Sequence, residues 1–175
     1  MAETGILAPG ERVELVRGVV REMSPKGRAH VVAVTKVFTV LLEALRGRAS
    51  LYPEAPLGLE HLDSDPEPDV VVCSNPDVET YGTTETRPLL VVEVAESSLQ
   101  YDLKEKAPLY ADARIPEYWV VNLVERVLEV HRRPENGSYA VRLRLSLHDR
   151  VSPEAWPDVN IEVSSLFPRS SDRSQ

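Results

Sequence analysis

The stretch Pro66-Glu67-Pro68-Asp69-Val70-Val71-Val72-Cys73, followed further on by Pro88-Leu89-Leu90-Val91-Val92-Glu93-Val94-Ala95, decides how this chain is read. Each half is a continuous β-branched or aliphatic run, the pattern of a strand covered on both faces. Each half also carries one carboxylate: Asp69 opens the first run and Glu93 stands near the end of the second. Segments this apolar hold an unpaired charge only at high cost, so each acid must be neutralised, paired or bound to a metal.

Outward from this pair the chain alternates apolar segments with turn signals. Residues 12–22 contain two short β-favouring runs around Arg17-Gly18, which predicts a hairpin. Ala29 to Arg46 reads as a helix in which Thr35, Thr39, Glu43 and Arg46 form one polar stripe. Almost everything else there is apolar, so the expectation is a helix buried on most sides and stopped at Gly47. A further strand is expected within 49–60.

Downstream, residues 102–113 form a second helical segment, with Ser97 and Ser98 placed to start or cap it. Asp102, Lys106 and Tyr110 recur every four residues and so share one helix face. Pro108 lacks an amide hydrogen and clashes with the carbonyl four residues back, so this helix is kinked or starts late. Strands are expected at 117–122, 126–132 and 138–147, the last two joined by a hairpin turn at Asn136-Gly137. The order defines an α/β (α+β) fold, a sheet with helices packed on it.

A length of 175 residues with 42% hydrophobic and 27% charged residues suits one globular domain. The expected organisation is a flexible N-terminus over 1–10, a single domain over 11–167 and a flexible tail over 168–175. No apolar run approaches the roughly 18 residues of a membrane span, and Met1 to Gly10 lacks the form of a secretory signal. Cys73 is the sole cysteine, which excludes an intramolecular disulfide framework and a cysteine-based zinc site. A cytoplasmic location is therefore expected. Twenty basic residues against 28 acidic ones give a formal charge of −8. That balance argues against coating nucleic acid through the overall field, but not against reaching phosphates through bound cations.

The ordered set Pro68-Asp69, Glu93-Val94, Ser97, Asp102, Lys106, Tyr110 and Glu117-Tyr118-Trp119 resembles the Uma-type restriction endonuclease family of the PD-(D/E)XK nuclease superfamily. The likeness begins at Glu14-Leu15-Val16-Arg17-Gly18 and His30 and continues through Arg132-Arg133 to Leu166-Phe167, nearly the whole chain. The resemblance implies a restriction-endonuclease-like mixed sheet flanked by helices, and a metal-dependent endonuclease that hydrolyses phosphodiester bonds in DNA. Asp69 and Glu93 are then the metal ligands, with the Val94 carbonyl as a further ligand and Glu14 as a third acid. Oxygen donors of this kind suit Mg²⁺ or Mn²⁺. A homodimer is expected, because cutting both strands needs two such sites.

The superfamily usually places a lysine two positions after the second acid, where this chain has Ala95. Lys106, ahead of Lys104, matches the relocated lysine of the resembling family. Beside metal and carboxylates its ammonium should stay charged, which favours electrostatic stabilisation over proton abstraction.

Plainer roles stand beside these. Asp69 can start its strand by accepting a turn amide, and Asp102 with Lys106 can form an ordinary surface pair. Glu22 shares the hairpin with Glu14, and His30 fits a hydrogen-bonded core position as well as a site. Tyr110, Tyr118 and Trp119 read as packing residues, Cys73 as a small core filler, and Arg132-Arg133 as either phosphate contacts or solvated charge. Two other functions fit the same fold: a catalytically inactive binding or scaffold protein, favoured by Ala95, and a small-phosphodiester hydrolase, which suits a net-negative chain.

Overall fold

Arg17 and Gly18 take φ values of 50° and 76°, the left-handed pair that a two-residue hairpin turn requires. They join β1 (Val13–Val16) to β2 (Val19–Glu22), as the sequence predicts. The computed structural model describes residues 12–23, 25–83 and 86–169. The expected flexible N-terminus, and the tail beyond residue 169, lie outside the described residues. Within them, the Pro168 carbonyl accepts hydrogen bonds from Arg126 at 3.2 and 3.3 Å.

Helix α1 (Arg28–Ala44) follows, with Gly47 beyond it at φ 71°. Its polar stripe is exposed as expected, but burial on most sides is not what the structure shows. Ala33, Val34, Val37 and Leu41 are buried, whereas Val31, Val32 and Leu42 stand in solvent. One face is enough to dock the helix, since each large aliphatic side chain contributes about 1.5–3 kcal/mol when fully buried.

The main sheet has six strands in the order β3-β4-β5-β6-β7-β8. These are β3 (Ser50–Pro53), β4 (Val70–Cys73), β5 (Pro88–Ala95), β6 (Glu117–Asn122), β7 (Val127–Glu135) and β8 (Ser138–Leu145). The strand expected within 49–60 is only four residues long. It ends where Glu54 turns to φ 50°, a left-handed conformation that no strand continues through. Asn136 and Gly137, at φ 47° and 74°, make the expected turn between β7 and β8.

All neighbouring strands are antiparallel except β5 and β6. A parallel pair needs a crossover, and the helical segment between Leu99 and Asp112 supplies it. That segment has three parts: α2 (Leu99–Tyr101), a π-helical turn over Asp102–Lys106, and α3 (Ala107–Asp112).

Side chains alternate across the sheet. Val70, Val72, Leu90, Val92 and Trp119 pack with α1 and with a short 3₁₀ turn at Val163–Leu166. Val91, Ala95, Tyr118 and Val120 pack on the opposite side with Leu109 and Tyr110 of α3. Helices therefore cover both faces, which is why β4, β5 and β6 read as unbroken apolar runs. A small antiparallel pair, β9 (Arg150–Val151) and β10 (Ile161–Glu162), precedes the last 3₁₀ turn. Buried Glu117 ties this region to the sheet: it accepts hydrogen bonds from Trp119 at 2.8 Å, Arg132 at 2.7 Å and the Glu154 amide at 2.6 Å.

Candidate active site

Val70 faces Val92 across the antiparallel β4–β5 pair. Continuing that register by one residue sets Asp69 opposite Glu93, and directly opposed residues of an antiparallel pair project from the same face. Both side chains are buried, at 4% and 5% exposure, and both line one cavity of about 590 Å³. The two acids therefore meet in common surroundings. Hairpin β1–β2, the N-terminal end of α1 and the π-helical turn form the other walls.

Asp69 is held at both oxygens. Oδ2 accepts the Val94 amide at 2.8 Å, while Oδ1 lies 3.0 Å from Lys26 Nζ and 3.0 Å from His30 Nε2. The amide it accepts belongs to the neighbouring strand, not to a local turn. Burial works against its charge, but the hydrogen bond and charge of His30, with the Lys26 ammonium and the Val94 amide, hold its carboxyl below the usual range. His30 reaches it because it sits one turn before Ala33 and Val34 on the buried face of α1.

The Val94 amide points toward β4, and strand alternation turns its carbonyl to the same side, where Pro68 has no amide hydrogen to offer. The next carbonyl, of Ala95, points the other way and accepts Leu123 N–H at 2.9 Å.

Glu93 Oε1 accepts hydrogen bonds from Lys106 Nζ at 2.8 Å and from the Tyr110 hydroxyl at 3.0 Å. Lys106 also lies 3.0 Å from Glu14 Oε2. Burial pushes the Glu93 carboxyl up to about 8, against the opposing pull of Lys106. Burial opposes the Lys106 charge too, but Glu93, Glu14 and Asp102 outweigh it and raise its pKa above the usual lysine range. Lys106 is therefore a fixed positive charge, as the sequence reading requires. Asp102 is pushed up to about 6 by burial and accepts the Ser98 hydroxyl at 2.6 Å.

Asp102 and Lys106 are 2% and 4% exposed, so they are not a solvated surface pair. Glu14 is buried in the site, whereas Glu22 is exposed at the cavity wall. Lys104 stands in solvent. Arg132 is engaged with Glu117 at 2.7 Å, leaving Arg133 as the exposed member of that pair. Lys26 and Tyr101 also line the cavity, and no sequence signal marks them. Lys26 lies in an irregular link that has no periodicity to read. Tyr101 stands next to Asp102, which was itself legible.

Seven carboxylates line the cavity against three permanent cations, Arg21, Lys26 and Lys106. Glu14 Oε2 is buried 3.0 Å from the Lys106 ammonium and, among the described residues, has no well-aligned hydrogen bond. A surplus of hard oxygen donors over cations fits a divalent cation. Among the described residues no three carboxylate, imidazole or thiol side chains stand close enough to enclose a metal by themselves. An ion here would rest on one or two carboxylates with main-chain oxygen and water, which is the habit of Mg²⁺.

A mixed sheet covered by helices on both faces, with two acids meeting at the end of its central strands, is a restriction-endonuclease-like fold. The crystal structure of a putative nuclease from Anabaena variabilis shares it, with a TM-score of 0.73 at 13% identity over 94% of each chain. The chain belongs to the Uma2 family, described as "Putative restriction endonuclease", whose profile matches residues 3–164. No curated protein matches it. Restriction-endonuclease-like nucleases generally use divalent metals. Among the described residues, no helix is long and apolar enough to cross a membrane.

Proposed function

We propose that this chain is a metal-dependent endonuclease that hydrolyses phosphodiester bonds in DNA, with residues 11–167 as one nuclease domain acting as a cytoplasmic homodimer. Asp69, Glu93 and the Val94 carbonyl would hold Mg²⁺ or Mn²⁺, with Glu14 supporting the ion from β1. The observation that carries this reading is the meeting of Asp69 and Glu93 in one acidic cavity beside a charged lysine.

A divalent ion held there would supply polarisation of the scissile phosphate and a lowered pKa for a bound water. Lys106 stabilises the negative charge that grows on the phosphate, and its raised pKa keeps it charged at neutral pH. It supplies from the crossover helix the cation that Ala95 cannot. Tyr110 and Lys106 fix the Glu93 carboxylate, and the Val94 amide fixes Asp69, so the acids are oriented before the ion arrives. The acidic cavity repels a bare polyanion, and a bound dication reverses that local field.

The test incubates wild type and Asp69→Ala with supercoiled plasmid, single-stranded DNA and a small phosphodiester, each with Mg²⁺ or Mn²⁺. Metal-dependent nicking that the variant lacks supports the proposal. Activity confined to the small diester selects the hydrolase reading, and absence of both activity and metal binding selects the scaffold.

A further inference from the structure

Both oxygens of Asp69 are already engaged. Oδ2 takes the Val94 amide, and Oδ1 is shared by Lys26 Nζ and His30 Nε2 at 3.0 Å each. Oδ1 has both of its lone pairs taken, so a cation that coordinates this oxygen must displace Lys26 or His30. The Val94 amide is fixed in β5, and the His30 ring stands on the docked face of α1. Lys26 is different. It lies in the irregular link between β2 and α1, beside Gly27, on a flexible four-carbon stem.

Its second partner is the exposed Glu54, 2.6 Å away. Lys26 can therefore leave Asp69 without leaving the cavity wall or losing a carboxylate partner. A single charge that occupies a ligand oxygen is the natural placeholder for a double one.

We infer that Lys26 is an exchangeable cation: it neutralises Asp69 in the metal-free protein, yields that oxygen to the divalent ion, and then pairs with a non-bridging phosphate oxygen of the substrate. This rests on the metal-dependent nuclease reading. It assigns the loop lysine a role distinct from that of Lys106, which is clasped by Glu93 and Glu14 and stays in place.

The test measures Mn²⁺ binding to the full chain by calorimetry, without DNA, for wild type, Lys26→Met and Lys26→Arg. Removing the competing charge should tighten Mn²⁺ binding by roughly three- to tenfold, the scale of one partly exposed ion pair. Cleavage of plasmid by Lys26→Met at saturating Mn²⁺ should fall about tenfold or more, as expected when one donor to the phosphate is lost. Lys26→Arg should restore both values toward wild type. Unchanged Mn²⁺ affinity in Lys26→Met, or unchanged cleavage at saturating Mn²⁺, overturns the inference. Failure of wild type to bind Mn²⁺ instead refutes the metal centre on which it rests.

Discussion

Lys106 Nζ meets Glu93 Oε1 at 2.8 Å because the helix that carries the lysine is wound wide over Asp102–Lys106. The Ala107 amide reaches back five residues to the Asp102 carbonyl, which also accepts the Tyr118 hydroxyl at 3.3 Å. Pro108 explains the widening. In an α-helix the Lys104 carbonyl would await the amide of residue 108, which proline lacks, and the ring would press on that carbonyl. A π turn relieves both problems without breaking the helix, and such turns recur at functional sites.

Lys106→Met should leave Glu93, Glu14 and Asp102 buried without their shared cation. Breaking a buried pair in this way costs about 3 kcal/mol, read as a lowered urea midpoint. Nuclease activity should fall by about a hundredfold.

Pro108→Ala restores the missing amide and permits an ordinary α-helix through the segment. Hydrogen exchange should show new protection at residue 108. Cleavage should drop about tenfold or more as Lys106 is re-aimed, with little change in urea stability. Full activity together with new protection would show that Lys106 does not depend on the wide turn.

Much of this geometry was readable beforehand. The apolar runs around Asp69 and Glu93 disclosed buried strands with stranded charges, and Arg17-Gly18 and Asn136-Gly137 disclosed both hairpins through backbone conformations that few residues adopt. Pro108 announced an irregular helix, but whether it would break, kink or widen depends on packing against Tyr118 from a distant strand. The engagement of Lys26 with Asp69 left no trace in the sequence, because its link has no periodicity and the partners lie 43 positions apart. Apolar content alone suggests more burial of α1 than the structure has, since Val31, Val32 and Leu42 face outward. Periodicity marks a polar stripe but does not say how many apolar faces find a neighbour.

Metal affinity should depend on pH through Glu93. Burial raises this carboxyl from 4.5 to about 8 against the pull of Lys106, so near neutrality a share of the metal-free protein carries a proton there. Binding an ion expels that proton. Mn²⁺ affinity should therefore climb as pH rises toward 8, by up to about tenfold per pH unit, and level off above it. Calorimetry in buffers of different ionisation enthalpy would register the released proton. A flat profile between pH 6 and about 8 would contradict this account.

His131 should govern part of the acid sensitivity of the fold. It is buried beside Tyr118 and Tyr139, neither ring nitrogen has a hydrogen-bond partner among the described residues, and Arg142 lies nearby. Burial, then Arg142, lowers its pKa from 6.5 to about 4. The unfolded chain therefore binds more protons between those values, and stability falls as pH drops from 6.5 toward about 4. The loss attributable to this ring is about 3 kcal/mol. His131→Phe should flatten that limb of a urea-unfolding series.

The most direct measurement of the central claim is the anomalous scattering of crystals soaked in Mn²⁺. The account predicts one strong peak between the carboxylates of Asp69 and Glu93, with the Val94 carbonyl in its coordination sphere and Lys106 close by. A peak elsewhere, or an empty cavity at Mn²⁺ concentrations that support cleavage, would contradict it.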